Sequence, residues 1–204
     1  DTQLETLQSG FQLAKVEGMQ LNDALEQIVQ TTSLMGGNLD SVSFGKDTQD
    51  MTDMLLATSM SGPLDVNDVV QTLQYSGGTA AAGGINLENK DALYDYLGAI
   101  SAFAQKGVVG SMAGTAMRAF FTKPASQDKQ VTEGLSKIGL TADDLWEEGG
   151  NKMKTVSDQI EIIQNAMGDM PAVDQIETWG KIVGPKMGLQ MMKLDADDIK
   201  QSLN

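Results

Sequence analysis

The sequence predicts an all-α fold, a compact domain of about ten short helices without a substantial sheet. Apolar residues recur every three or four positions in one segment after another, which is the spacing of an amphipathic helix. Twenty-two glycines and four prolines separate these segments at intervals typical of short helices. Aromatic residues make up only 5% of the chain, whereas methionine occurs 13 times. Because flexible methionine side chains fill irregular gaps, we interpret them as a helical core rather than a methionine-rich binding surface.

Composition excludes several kinds of active site. The chain has no cysteine and no histidine, so it lacks thiolate and imidazole zinc ligands, Cys and Ser/His nucleophile systems and disulfides. Adjacent acids such as Asp143 and Asp144 point to different faces of a helix and do not converge as a catalytic dyad. We therefore predict no catalytic residues, no cofactor and no metal site, and we expect the protein not to be an enzyme.

The charge is strongly acidic and unevenly distributed. The formal net charge is -14, yet residues 106–137 carry five basic and only two acidic side chains. An acidic chain repels phosphate, so we expect no direct binding of nucleic acid. No run of about 18 apolar residues occurs, so we expect no membrane span. The chain begins at Asp1 rather than methionine, which indicates a processed product or a piece of a longer protein.

The first third of the chain predicts three helices. Thr2 and Glu5 form a capping-box pattern in front of the first helix. Its apolar face is predicted to consist of Leu4, Leu7, Phe11 and Ala14. A second helix ends at Gly36, residues 38–46 form a loop, and a third helix stops before Pro63.

The next segment predicts two helices joined by a glycine-rich connection. Asp65 and Asp68 cap a valine-rich stretch for which a strand is the alternative, but spacings of three and four favour a helix. Residues 76–84, SGGTAAAGG, lack the lysine of a phosphate-binding loop, so we predict a tight connection there. Residues 91–105 show the clearest amphipathic pattern in the chain.

The last third predicts a series of short helices. Thr141 and Asp144 form a second capping box. A helix after Pro171 is predicted to bury one apolar face. That face consists of Val173, Ile176, Trp179 and Val183. Glycines four apart resemble a helix-dimer stripe, but Pro185 indicates that Gly184 ends one helix and that another follows.

We place the candidate functional site in residues 107–121, GVVGSMAGTAMRAFF. Small residues such as Gly110 and Gly114 allow a helix to pack close to a neighbour, because no side chains hold the backbones apart. The stretch also contains Arg118, the only arginine, whose planar guanidinium offers five donors. The guanidinium either binds helix-end carbonyls or a carboxylate within the domain or anchors a subunit contact, and the sequence leaves both interpretations open.

Residues 107–118 resemble the signature segment of bacteriophage tail tape measure proteins. In that family a glycine, an apolar pair, Gly-Ser and then Ala-Gly-Thr-x-Leu-Arg recur, and here Met117 stands where leucine is usual. The resemblance extends over residues 10–194, because other elements follow in the family's order. These are a helix start at Gly84, a break at Lys123 and Pro124, Ile138-Gly139-Leu140, a turn at Gly150 and Asn151, and the region from Gly180 to Gly188. The motif residues that form a candidate interface are Gly107, Gly110, Ala113, Gly114, Thr115 and Arg118.

The resemblance implies a structural, mostly helical tail protein of a phage or prophage. Such a protein sets tail length during assembly, occupies the tail tube and leaves ahead of the DNA. The implied partners are the tail tube protein, tail assembly chaperones, tail-tip or baseplate proteins and further copies of the full-length protein. The implied location is the virion tail, and the host cytoplasm during assembly. Two alternatives remain open: a peptidoglycan-cleaving or other enzymatic domain of a tail protein, and a helical adaptor or secreted effector.

Length indicates which part of such a protein this chain would be. One unbroken helix of this length would extend about 300 Å at roughly 1.5 Å per residue. The glycines and prolines predict short helices instead, so we expect a compact domain rather than the extended ruler. We expect residues 1–204 to form a single domain, with a subdivision near 76–90 as the alternative. It would be a fragment of a longer chain whose coiled coil lies elsewhere.

Overall fold

The computed structural model describes residues 2–126 and 128–202, and most of them are helical. This described part contains eleven α-helices and no strand, which confirms the all-α prediction. The α-helices are α1 (Thr2–Glu17), α2 (Leu21–Leu34), α3 (Phe44–Met60), α4 (Val66–Ala82), α5 (Lys90–Gln105), α6 (Gly110–Thr122), α7 (Lys129–Lys137), α8 (Val156–Met167), α9 (Ala172–Val183), α10 (Pro185–Met191) and α11 (Ala196–Gln201). Two short 3-10 helices lie at Pro124–Ser126 and Ala142–Leu145.

Several helices begin or end where local signals predict. Asp65 Oδ1 accepts a hydrogen bond from the backbone N–H of Asp68 at 2.9 Å, and the reciprocal bond of the capping box is also present. The valine-rich stretch is therefore the start of α4 and not a strand. Gly184, at a φ of +95°, ends α9, and Pro185 is the first residue of α10 as predicted.

Buried side chains from α1 to α11 form one apolar cluster. Methionine contributes heavily to it, since seven of the thirteen methionines are buried and only Met60 and Met112 are largely exposed. The largest fully buried aromatic side chains are Trp179, Tyr96, Phe103 and Phe120. The interpretation of the methionines as core residues is therefore confirmed.

The apolar face predicted for the first helix is wrong. Leu4, Leu7 and Phe11 are 58, 38 and 55% exposed. The buried residues of α1 are instead Ser9, Gly10 and Leu13. Gly10 allows α2 to pack on this side, because a Cβ there would lie only 2.4 Å from Leu25 Cδ2. Close approach of the neighbouring helix, rather than side-chain hydrophobicity, decides which face of α1 is covered.

The capping box predicted at the start of α1 is also wrong. Thr2 lies within the helix, and its Oγ1 donates to the carbonyl oxygen of Val42 at 3.1 Å. Glu5 lies against α3, where a Cβ on Gly45 would be closer than 3 Å to its carboxylate. Both side chains therefore make tertiary contacts instead of capping the helix.

The tight connection predicted for residues 76–84 is wrong for most of its length. Residues 76–82 form the last two turns of α4. The buried Gly77 faces α2, and a Cβ there would lie 2.3 Å from Leu34 Cδ2. Packing of α4 on α2 outweighs the low helix propensity of two consecutive glycines, which amounts to about 1 kcal/mol each relative to alanine.

Helices α9 and α10 pack so closely that their glycines meet. A Cβ on Gly188 would lie 2.7 Å from the backbone nitrogen of Gly180, so these glycines serve packing within the chain. Of the face predicted for α9, Trp179 and Val183 are buried as expected. Val173 and Ile176, however, are exposed, which contradicts their assignment to the buried face.

Candidate interaction surface on helix α6

Two glycines shape the entry into α6. Gly107 follows α5 at a φ of +76°, and its N–H donates to the carbonyl oxygen of Ala104 at 2.9 Å. Gly110 is the first residue of α6 and has a φ of +55°. Both values lie in the left-handed region that L side chains rarely adopt. The motif glycines therefore determine the direction in which α6 leaves α5.

The next contacts place α6 directly against α4. Thr72 Oγ1 donates to the carbonyl oxygen of Gly110 at 3.0 Å. One turn further along α6, a Cβ on Gly114 would lie 2.8 Å from Thr72 O and 2.6 Å from Tyr75 Cβ. The two helices therefore run in the same direction and nearly touch along their backbones. The close packing predicted for this stretch is present, and the neighbour is a helix of the same chain.

A second side of α6 is buried in the core. Ala113, Ala116, Met117 and Phe120 are fully buried. The ring of Phe120 lies 6.3 Å from that of Trp179 on α9, measured between centroids. With α4 on one side and the core on another, α6 is held rigidly, and a rigid helix presents its remaining face in a defined geometry.

The remaining face of α6 is open to solvent and carries a single charge. Met112, Thr115 and Arg118 are exposed, and α6 contains no acidic residue. The Thr115 hydroxyl donates to the carbonyl oxygen of Ser111 at 2.7 Å. Among the described residues, the Arg118 guanidinium has no ion pair and no side-chain hydrogen bond. We call Met112, Thr115, Arg118 and the adjoining Tyr75 the α6 surface.

Two other cations of the same basic segment are paired within the fold. Lys106 lies 3.1 Å from Asp198, and Lys137 lies 3.0 Å from Glu177. The hydrogen bond that Lys137 Nζ donates to the Glu177 carboxylate raises the pKa of Lys137. Arg118 differs from these two lysines because no carboxylate in the described ranges forms an ion pair with it. Its interpretation as an intramolecular tie therefore has no contact to support it, whereas an external anion has free access.

Sequence reasoning missed Tyr75. This half-exposed ring lies on α4, and its Cβ comes next to Gly114 only because α4 and α6 run side by side. The sequence does place Tyr75 two positions after Leu73 in a helical pattern, which puts the tyrosine on a different face from the buried leucine. That pattern does not show which helix the ring adjoins.

Two titratable groups with raised pKa values, away from this surface, serve the fold. The Asp95 carboxylate accepts hydrogen bonds from Ser157 Oγ and, at 2.9 Å, from the Ser157 backbone N–H, so it ties α5 to the first turn of α8. Burial raises the pKa of this carboxyl, and the bonds from Ser157 oppose that effect. Burial likewise raises the pKa of Tyr96, whose hydroxyl pairs with Ser76.

No group of three or more acidic side chains among the described residues is arranged to hold a metal ion. No helix within residues 2–126 and 128–202 is long and apolar enough to cross a bilayer.

The fold defines an all-helical protein in which one face of α6 is exposed to solvent. A family model described as phage-related minor tail protein matches residues 1–184, so the chain belongs to that family and is a structural component of the phage tail. Its partners are therefore found among tail structures, and it is located in the virion tail. Comparisons with curated proteins and with solved structures return no match.

Proposed function

We propose that this chain is a compact domain of a tail tape measure protein, which acts in tail assembly, tail length determination and DNA ejection. Membership of the minor tail family supports a tail role, and the ordered motifs between residues 10 and 194 support the more specific assignment. We assign residues 1–204 to one domain of a longer chain. The presence of short helices throughout agrees with a folded domain that is separate from the extended ruler.

The observation that carries this proposal concerns Arg118, which lies on a rigid helix and has no ion pair among the described residues. In a chain of net charge -14, an exposed guanidinium that no carboxylate of residues 2–126 and 128–202 pairs with is suited to an acidic group on a partner. The motif glycines Gly107, Gly110 and Gly114 position that helix. In the proposal, Thr115 and Arg118 contact a tail component such as the tube protein, a chaperone, a tip or baseplate protein, or another copy.

The protein acts through these contacts and not as an enzyme. The described carboxylates with shifted pKa values are engaged in hydrogen bonds or ion pairs within the fold, as Asp95 with Ser157, Asp144 with Thr141 and Glu177 with Lys181 illustrate. Peptidoglycan cleavage by the purified chain would favour the alternative of an enzymatic tail domain. If the chain were instead a helical adaptor or a secreted effector, it would perform its function in the absence of assembled tails.

Replacing Arg118 tests the contact. We expect Arg118→Ala to reduce the yield of complete tails while changing the free energy of unfolding by less than about 0.5 kcal/mol, because the side chain is exposed. Arg118→Lys should restore assembly only in part, since an ammonium cannot reproduce bidentate geometry. Lys186→Ala removes another exposed cation and serves as the matched control. Normal tail yield in the Arg118→Ala phage would contradict the proposed contact.

Tail length tests the tape measure assignment separately. An in-frame deletion of coiled coil outside this domain in the parent gene should shorten tails in proportion to the residues removed, because a helix rises by about 1.5 Å per residue. Electron microscopy of intact tails measures this directly. Tails of unchanged length would exclude the ruler function and leave the broader role as a minor tail protein intact.

A further inference from the structure

A groove beside α7 combines apolar walls with acidic side chains that form no ion pair among the described residues. A depression of about 340 Å³ lies between Pro124, Val131, Leu135 and Leu140. A second, of about 590 Å³, is lined by Trp146 and four acidic residues. Ala142, Asp143 and Trp146 line a smaller depression that joins them. We call this continuous feature the Trp146 groove.

The acidic side of the groove is built on a rigid loop. Leu145 and Met153 are buried on either side of the loop tip. Backbone hydrogen bonds connect Lys154 N to Leu145 O at 3.2 Å and Glu147 N to Lys152 O at 2.9 Å. A further bond, from Met153 N to Gly83 O at 2.8 Å, fixes the loop to the end of α4. The groove is therefore preformed, which lowers the entropic cost of binding.

The negative charge of the groove indicates that its binding partner is cationic. The carboxylates of Asp143, Glu147 and Glu148 are exposed and have no ion pair within the described chain. The one base that lines the same depression, Lys154, donates to the backbone carbonyl of Asp144 at 2.7 Å. Partly buried Trp146 adds an aromatic ring to the lining of the groove, and aromatic rings together with carboxylates bind lysine and arginine side chains.

We infer that the Trp146 groove docks a protein segment that carries lysine or arginine beside apolar side chains. The apolar residues would enter the depression next to Val131 and Leu135, and the cations would face Asp143, Glu147 and Glu148. Trp146, at the junction, would be the central anchor, as tryptophan often is at interfaces. This site is separate from the α6 surface and does not depend on the tape measure assignment.

A designed peptide tests the groove in the unmodified chain. The probe is a 14-residue helix of leucine and lysine at amphipathic spacing, and its analogue has glutamate in place of every lysine. Only two tryptophans are present, and Trp179 is buried, so acrylamide quenching of fluorescence reports mainly on Trp146. We expect the lysine peptide to protect the fluorescence from quenching and the glutamate peptide to have no effect.

Matched charge reversals separate the groove from general attraction to an acidic protein. Glu147→Lys with Glu148→Lys should weaken binding of the lysine peptide at least about tenfold. Asp23→Lys with Glu26→Lys changes the net charge equally on exposed positions of α2 and should weaken it by less than about threefold. Circular dichroism of both double variants verifies that they fold.

Three results would overturn the inference. The lysine peptide leaving the quenching unchanged would show that the groove does not take such a segment. Equal weakening by both double variants would show attraction to net charge alone. Concentration-dependent self-association that Glu147→Lys with Glu148→Lys abolishes would assign the groove to a second copy of the chain instead. None of these results affects the tail-length experiment.

Discussion

At the scale of single residues, Gly114 and Gly78 show how differently two helical glycines are used. Gly114 lies where α6 meets α4, and a Cβ there would come within 2.8 Å of the carbonyl oxygen of Thr72. Gly78 lies on the exposed side of α4, with no atom within 4 Å of its Cβ position. The first glycine permits a contact between backbones, whereas the second only lowers helix propensity.

Alanine at each of the two glycines should therefore have opposite effects on stability. We expect Gly114→Ala to lower the free energy of unfolding by about 1–3 kcal/mol, because the backbone of α4 has to move. Gly78→Ala should raise it by about 0.5–1 kcal/mol through the better helix propensity of alanine. Urea denaturation followed by circular dichroism measures both. An unchanged stability in Gly114→Ala would mean that α4 and α6 separate at little cost.

Arg118 is also a residue whose importance depends on its surroundings. Its guanidinium is exposed, and no carboxylate among the described residues pairs with it. A solvated cation contributes little to folding, so its removal affects stability far less than removal of a buried group. Stability and assembly therefore respond separately to Arg118→Ala, and the experiment on tails is informative for that reason.

At the scale of elements, α1 shows that an amphipathic pattern does not identify the buried face. Its leucine and phenylalanine stripe, Leu4, Leu7 and Phe11, is exposed, while Gly10 and Leu13 face the neighbouring helices. The helix pays no steric penalty at Gly10, so α2 approaches there. A helix at the edge of a bundle buries the side that fits, which is not always the most apolar side.

Substitutions on the buried and the exposed side of α1 should have very different effects on the free energy of unfolding. We expect Leu13→Ala to reduce the free energy of unfolding by about 2–5 kcal/mol, since it removes a fully buried side chain. Leu4→Ser with Phe11→Ser should change it by less than about 1 kcal/mol, since both side chains are mostly exposed. Thermal and urea unfolding of each variant measure this. A large loss in the exposed pair would show that α1 buries that stripe in solution.

At the scale of the whole molecule, repulsion between acids opposes the compact state. The net charge is -14, and the ion pairs of the described chain are all at the surface, where every participating side chain is at least 27% exposed. Such pairs contribute about 0–1 kcal/mol each, and salt screens them as well as the repulsion. With twice as many acids as bases, repulsion is the larger of the two effects.

Added salt should therefore stabilise the chain. We expect the melting temperature to rise when sodium chloride is increased from 10 to 500 mM, and a gain of about 1 kcal/mol corresponds to roughly 2–4 °C at this chain length. Calorimetry at neutral pH measures the shift. Sucrose, which leaves charges unscreened, is the control for general solvent effects. A lower melting temperature in salt would show that the surface ion pairs outweigh the repulsion.

The sequence by itself determined that the chain is helical and where several helices begin and end. Caps and helical hydrogen bonds involve residues within about four positions of one another. The helix boundaries at Asp65 with Asp68, and at Gly184 followed by Pro185, can therefore be predicted from the local sequence. The motif over residues 107–118 also pointed to a phage tail protein, which the family match confirms.

Only the tertiary structure decided which faces are covered. The approach of Leu25 to Gly10, of Leu34 to Gly77 and of Tyr75 to Gly114 joins residues far apart in the chain. As a result of the first contact, the apolar stripe of α1 is exposed. The second allows α4 to continue as a helix through two glycines. The third places α4 beside α6, and the side chain of Arg118 on α6 remains exposed to solvent. Burial depends on the distances between helices, and neither hydrophobic spacing nor local propensity specifies these distances.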